Sequence, residues 1–210
     1  MTQPQKTRCS CGPIRSAGSQ AGFARFRSQI GVALLAALLG AGPLHPQATP
    51  TVEYQVKAAF LYNFAKFIEW PADSFASEKS PMSFCIFGHD PFGTSFDEAL
   101  RGKKVNNREF LPRRVKEYAE LRTCHLVFVS WQEDKHLPEI LSSVKGASVL
   151  VVGESADFAG RGGTVQFLLE ENKLRFAVNL EAAKRARLQI SSKLLALATI
   201  VGDGAHQEVN

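Results

Sequence analysis

Four kinds of side chain in this sequence could do chemistry, and their spacing disposes of most of it. Beyond residue 48 the cysteines are Cys85 and Cys124, with no C-x-x-C pair, so thiol–disulfide exchange has no motif to run on. The histidines there are His89, His125, His136 and His206. None is paired at i+3 or i+4 with another ligand on a clear helix, so no metal site is expected. His125 opens an apolar run and reads as a satisfied core histidine. Gly153-Glu-Ser-Ala-Asp157 begins like a nucleophile elbow, which makes Ser155 the best hydrolase candidate, yet Asp157 stands where the tight turn needs a second glycine. Gly160, Gly162 and Gly163 lack a following Lys-Ser/Thr, so they read as shaping a turn and not as cradling phosphate. Asp97-Glu98 and Glu170-Glu171 read as solvated carboxylates. The chain is therefore expected to be no enzyme, with no catalytic residue, cofactor or metal.

Charge narrows the partners. The 210 residues carry a formal charge of +5, but Lys6, Arg8, Arg15, Arg25 and Arg27 precede Thr49 with no acid among them. The remainder balances 20 basic against 20 acidic residues. A nucleic-acid surface needs a positive field to neutralise phosphates, so no nucleic-acid partner is expected. The basic start is followed by the apolar run Ile30–Leu39 and the small residues Gly40, Ala41 and Gly42. That layout reads as a secretory signal over residues 1–48, cleaved near Ala48 and too short to span a bilayer, which takes about 20 apolar residues. An uncleaved N-terminal anchor is the alternative. Export puts Cys85 and Cys124 in an oxidising compartment, where they are a candidate disulfide; two inert buried thiols are the other reading.

The elements follow from periodicity. Val52–Trp70 reads as one aromatic helix with Val56, Phe60, Phe64, Phe67 and Ile68 inward and Asn63 within the apolar arc, ended by Pro71. Met82–Phe87, His125–Ser130 and Ser148–Val152 are apolar without period, as strands covered on both faces are. Between them, 94–100 (capped by Thr94 or Ser95), 116–123 and 133–144 read as helical, and 108–115 as extended. Residues 163–170 and 173–179 read as an antiparallel hairpin turning at Glu171-Asn172, with Leu174, Phe176 and Val178 inward and Lys173, Arg175 and Asn179 outward. A helix over 180–187 and a last amphipathic helix presenting Ile190, Leu194, Leu197 and Val201 complete the chain. The fold class is a single α/β domain over 49–201: a largely parallel sheet flanked by helices, a C-terminal antiparallel hairpin, and a tail over 202–210.

Five blocks in order carry a resemblance: EYQVKAAFLYNFAKFIEWP (53–71), FCIFGHDPFG (84–93), CHLVFVS (124–130), GGTVQFLLEENKLRFAVNL (162–180) and ISSKLLALA (190–198). Together they resemble the YfiR family of exported bacterial proteins. The resemblance implies a periplasmic protein that binds the sensor region of an inner-membrane diguanylate cyclase, represses it, and so lowers cyclic di-GMP and biofilm formation. It implies a disulfide between Cys85 and Cys124. An outer-membrane lipoprotein and a second copy of the chain are further partners to expect. Relatives with a second, closely spaced cysteine pair near the hairpin differ from this chain, which has no cysteine between Gly153 and Asn179.

Two surfaces are candidates for docking. One is the outer edge of the aromatic helix, with Tyr62, Lys66, Glu69 and Trp70, because Tyr and Trp contribute heavily at interfaces. The other is Arg175 with Asn179 on the last hairpin strand. The alternative function is a periplasmic small-ligand-binding module reporting to a membrane sensor, its site in the crevice at the strand ends.

Overall fold

The apolar runs without period become the middle of one sheet. A computed structural model describes residues 50–204; the expected signal peptide, its cleavage near Ala48, His206 and the tail past 204 lie outside the described residues. In chain order come α1 (Pro50–Phe67), β1 (Ile68–Glu69), β2 (Met82–Phe87), α2 (Thr94–Leu100), β3 (Lys104–Val105) and β4 (Arg108–Val115). Then follow β5 (Leu126–Val129), α3 (Leu137–Ser143), β6 (Leu150–Gly153), β7 (Val165–Glu170), β8 (Lys173–Asn179), α4 (Leu180–Arg185), β9 (Gln189–Ile190), α5 (Ser192–Leu195) and β10 (Thr199–Val201). Short 3₁₀ turns precede β5 and α3 and follow β1.

Eight strands line up as β10-β8-β7-β6-β5-β2-β4-β3, parallel except at the β3–β4 and β7–β8 pairs. The chain steps from β2 out to β4 and then crosses to β5 on the other side, so the order reverses between β2 and β5. That is a doubly wound sheet with a topological switch point. Every residue of β2, β5 and β6 is buried, which is why these strands show no alternation. The β7–β8 hairpin turns where expected, with Glu171 and Asn172 both at positive φ (48° and 59°).

Alternate residues feed two cores, one on each face. Phe84, Ile86, Leu126, Phe128, Val152, Phe167 and Phe176 meet α1, whereas Cys85, Phe87, Val127, Val129, Val151 and Phe158 meet α3. Phe158 wedges between Gly153 and Gly163; a Cβ on either glycine would fall 2.2 Å from its ring, so only glycine admits that side chain. This is the turn the glycine cluster shapes.

Several local expectations are corrected. The buried side of α1 is Ala58, Leu61, Phe64 and Ala65, with Ile68 just beyond, while Val56 is 41% exposed and Asn63 faces solvent. The small alanines let the helix approach the sheet, which rotates Phe60 and Phe67 to its flanks. The helix stops at Phe67 because Ile68 and Glu69 pair with Ile190 and Gln189. Gly93 precedes α2 in place of a capping hydroxyl, and Asp90 Oδ1 accepts from the Phe92 and Gly93 amides instead. The segment from Glu133 begins as 3₁₀ and becomes α-helical only at Leu137, since Pro138 fits a first turn but not a helix interior. Residues 118–123 are likewise 3₁₀. The last helix is a single turn, α5, capped by Ser191 Oγ. The β-branched Thr199, Ile200 and Val201 then pair with β8 as an edge strand, and Leu197 is 74% exposed.

Candidate functional site

The outer flank of α1 is held open by its neighbours on the sheet. The half-buried Tyr62 ring packs edge-on against Phe110 of β4, centroids 5.5 Å apart, and Lys103 Nζ sits 4.5 Å above it. Lys66 Nζ lies 5.5 Å from the same ring, and Lys66 and Glu69 are exposed. Tyr62, Lys66 and Lys103 thus form one patch, an aromatic ring flanked by two ammonium groups. Trp70 is more committed: half-buried, its Nε1–H donates to the His125 carbonyl at 3.1 Å.

His125, whose carbonyl accepts the Trp70 hydrogen bond, is a hub of contacts. Its Nδ1 accepts from the Ser83 amide at 3.0 Å, which leaves Nε2 to donate to the Ser74 carbonyl at 3.1 Å, and Phe75 stacks on the ring at 4.4 Å. It is the satisfied core histidine the sequence suggested. Burial pushes its imidazole below the ordinary value near 6.5, against the pull of the Ser74 hydrogen bond. Because the folded pKa is depressed, the neutral ring's contribution is present above about pH 6.5 and is lost as pH falls through the folded value. Unfolding midpoints measured across pH 7 to 4 should therefore decline, and His125→Asn should flatten that decline; a wild-type slope retained in the variant would contradict the assignment.

The second candidate surface divides. Arg175 is exposed and pairs with Glu170 at 3.0 Å, but it points to the sheet face opposite α1, since Phe176 and Val178 face α1. Asn179, expected outward, is fully buried. Its Oδ1 caps α4 by accepting from the Ala182 amide, and its Nδ2 donates to the Ala159 carbonyl and Asp203, both at 2.7 Å. The physical reason is that β10 and the 154–163 loop cover that end of β8, so the polar side chain serves as an internal cap. Of the candidates, Lys66 lies beside the Tyr62 ring, Glu69 is exposed on β1 and Trp70 is tied to the His125 carbonyl; Arg175 lies on the opposite sheet face and Asn179 is buried.

One polar cluster had no sequence signal. Lys57, 4% exposed, pairs with Glu154 at 2.5 Å and also with Glu53 one turn earlier. Glu154 additionally accepts from Tyr54 Oη and from the Trp131 amide, each at 3.1 Å. Burial first, and then the Glu154 charge, push the Tyr54 phenol well above its usual value. The cluster ties the first turns of α1 to the ends of β5 and β6, beside the switch point where a ligand crevice was expected. Glu154 and Lys57 stand 97 residues apart, and only the fold brings them together. Ser155 has a buried hydroxyl with no hydrogen-bond partner among the described residues, so neither base nor acid engages it. Among the described residues no group of three or more His, Cys, Asp or Glu is placed to hold a metal ion, and no helix is long and apolar enough to cross a membrane.

The cysteines do meet. Cys85 in β2 and Cys124 just before β5 form a disulfide, with Cα atoms 6.0 Å apart across neighbouring strands. A doubly wound α/β domain, stapled by that bridge and covered on one face by a long aromatic helix, defines the structural class. The chain belongs to the YfiR/HmsC-like family, whose pattern matches residues 54–199.

Among solved structures, the chain is similar to a conserved domain protein from Vibrio cholerae O1 biovar El Tor. The identity is 9%, the TM-score is 0.47, and the match covers 70% of this chain and 59% of that one. It is also similar to an ABC domain in complex with L-Trp from Streptococcus pneumonia, at 9% identity and a TM-score of 0.42, over 57% of this chain and 55% of that one. The chain thus spans less than two thirds of either structure, and neither likeness carries a functional argument.

Proposed function

We propose that this protein is a periplasmic, non-enzymatic regulator that docks on the sensor region of an inner-membrane diguanylate cyclase and represses it, lowering cyclic di-GMP. The observation that carries the reading is the family match across residues 54–199. The Cys85–Cys124 bridge supports it, because structural disulfides belong to exported proteins. The Tyr62 patch is the docking surface the reading favours: a half-buried ring flanked by Lys66 and Lys103 has the aromatic and charged character of an interface anchor. An outer-membrane lipoprotein and self-association are further contacts that the family suggests.

The test is capture of the cyclase's periplasmic region by the purified protein. Tyr62→Ala should weaken capture by about tenfold or more, the effect of losing one interface anchor, while the protein remains folded at the assay temperature despite the lost Phe110 contact. Undiminished capture by Tyr62→Ala, or loss with Arg175→Ala instead, would remove the patch from the account.

A second reading, a small-ligand module, is favoured by one feature. An open cleft of about 800 Å³ lies between α3 and α4, floored by Val144, Val149, Val151 and Ala182, within the usual size range of ligand sites. It opens on the face opposite α1, not in the strand-end crevice. A metabolite that raises the melting temperature would support it.

A further inference from the structure

A smaller, polar cleft of about 220 Å³ opens where β5 and β6 begin, lined by Ser74, Arg122, His125, Ser148 and Arg187, with Asp73 among them. At about 30 Å³ per water it holds the equivalent of roughly seven waters. That is room for a tetrahedral ion and part of its hydration shell.

Two independent observations give the cleft its chemistry. Ser74 and Ser148 both line it, and both hydroxyls are buried without a hydrogen-bond partner among the described residues; Ser148 is only 8% exposed. Buried hydroxyls are ordinarily paired, so two orphans on one small cleft are unusual. The second observation is unspent guanidinium capacity. Arg122 uses Nη1 alone, on the carbonyls of Ser143 at 3.3 Å and Lys145 at 3.0 Å. Arg187 uses Nη1 on Asp73 at 2.8 Å. Two guanidinium charges therefore face one carboxylate. His125 adds no charge, because its Nδ1 is occupied as an acceptor by the Ser83 amide. Donors outnumber acceptors, and planar guanidinium donors suit bidentate contact with phosphate oxygens.

We propose that this cleft binds a phosphate group, held by Arg122 and Arg187 and completed by the Ser74 and Ser148 hydroxyls. Occupancy would join four segments remote in sequence: the turn after β1, the approach to β5, the approach to β6, and the chain after α4. The phosphate could reach the site as the free ion or on a phosphomonoester, and both share the recognition chemistry. The inference stands apart from the cyclase reading and survives its failure.

The test is thermal unfolding of the purified protein titrated with inorganic phosphate, glycerol phosphate, or phosphatidylcholine vesicles containing phosphatidylglycerol, against chloride at matched ionic strength. A saturable rise in midpoint with inorganic phosphate or glycerol phosphate is expected, and whichever acts at the lower concentration identifies the source. Arg122→Gln should raise the half-saturating concentration about tenfold, the effect of one charge-assisted hydrogen bond. Arg175→Gln, far from the cleft, should leave it unchanged. Because Arg122 also holds two carbonyls, Ser148→Ala is the second variant: it should unfold no earlier than wild type without phosphate, yet respond more weakly to it. No saturable rise with either small anion, a response to vesicles alone, or full responses in both cleft variants would overturn the proposal.

Discussion

Glu154→Ala is expected to destabilise the fold by about 3 kcal/mol, the low end of what removing one partner from a buried ion pair costs. Lys57 would be left 4% exposed with only Glu53, itself on the surface side of the helix, to balance it. The Tyr54 hydroxyl and the Trp131 amide would lose their acceptor at the same moment. Lys57→Met should cost less, because Glu154 keeps those two donors. The double variant Lys57→Met/Glu154→Gln should recover part of the loss, since a neutral pair carries no buried charge. Urea unfolding reads this directly: the midpoint shifts while the slope stays constant. A shift under about 1 kcal/mol would mean that the pair behaves like a solvent-screened surface bridge.

Removing the disulfide is the second large effect. The bridge closes a loop of 39 residues, and on chain-entropy grounds Cys85→Ala/Cys124→Ala should lower stability by about 4 kcal/mol. Both cysteines are buried, at 0% and 3% exposed, within the core beneath α3, so lost packing adds to the entropic term. The wild-type protein in reductant should approach the double variant's midpoint. Equal midpoints for oxidised and reduced wild type would show that the bridge does not staple the fold.

How much of this was legible depended on how local the cause was. Met82–Phe87 and Leu126–Val129 could be read because a strand covered on both faces is apolar at every position, whatever covers it. The Glu171-Asn172 turn could be read because so short a connection between two β-rich runs needs residues that tolerate positive φ. The face of α1 was misjudged because an aromatic wheel favours Phe60 and Phe67, whereas close packing on the sheet favoured Ala58 and Ala65. The alternation of β8 was right at Phe176 and Val178 and failed at Asn179, where covering by a distant segment turns an outward position into a buried cap. Thr199–Val201 reads as helix by pattern and becomes a strand because β8 offers it an unpaired edge.

Of the candidate site, the pairing of Lys66 with the Tyr62 ring follows from local helical spacing, whereas Glu69 falls on β1, past the end of the helix. The Lys57–Glu154 pair and the cleft of Arg122, Arg187 and Ser148 do not, because each joins segments that only the doubly wound topology makes neighbours. Lys57 looked like half of an ordinary i,i+4 pair with Glu53, and nothing in the sequence shows that it is buried.

The central claim, repression of a diguanylate cyclase from the periplasm, is tested most directly by measuring cyclic di-GMP in cells with the gene deleted and then restored. The account predicts a rise on deletion, reversed by the wild-type chain and not by Tyr62→Ala. Cyclic di-GMP that stays level across all three strains would contradict it.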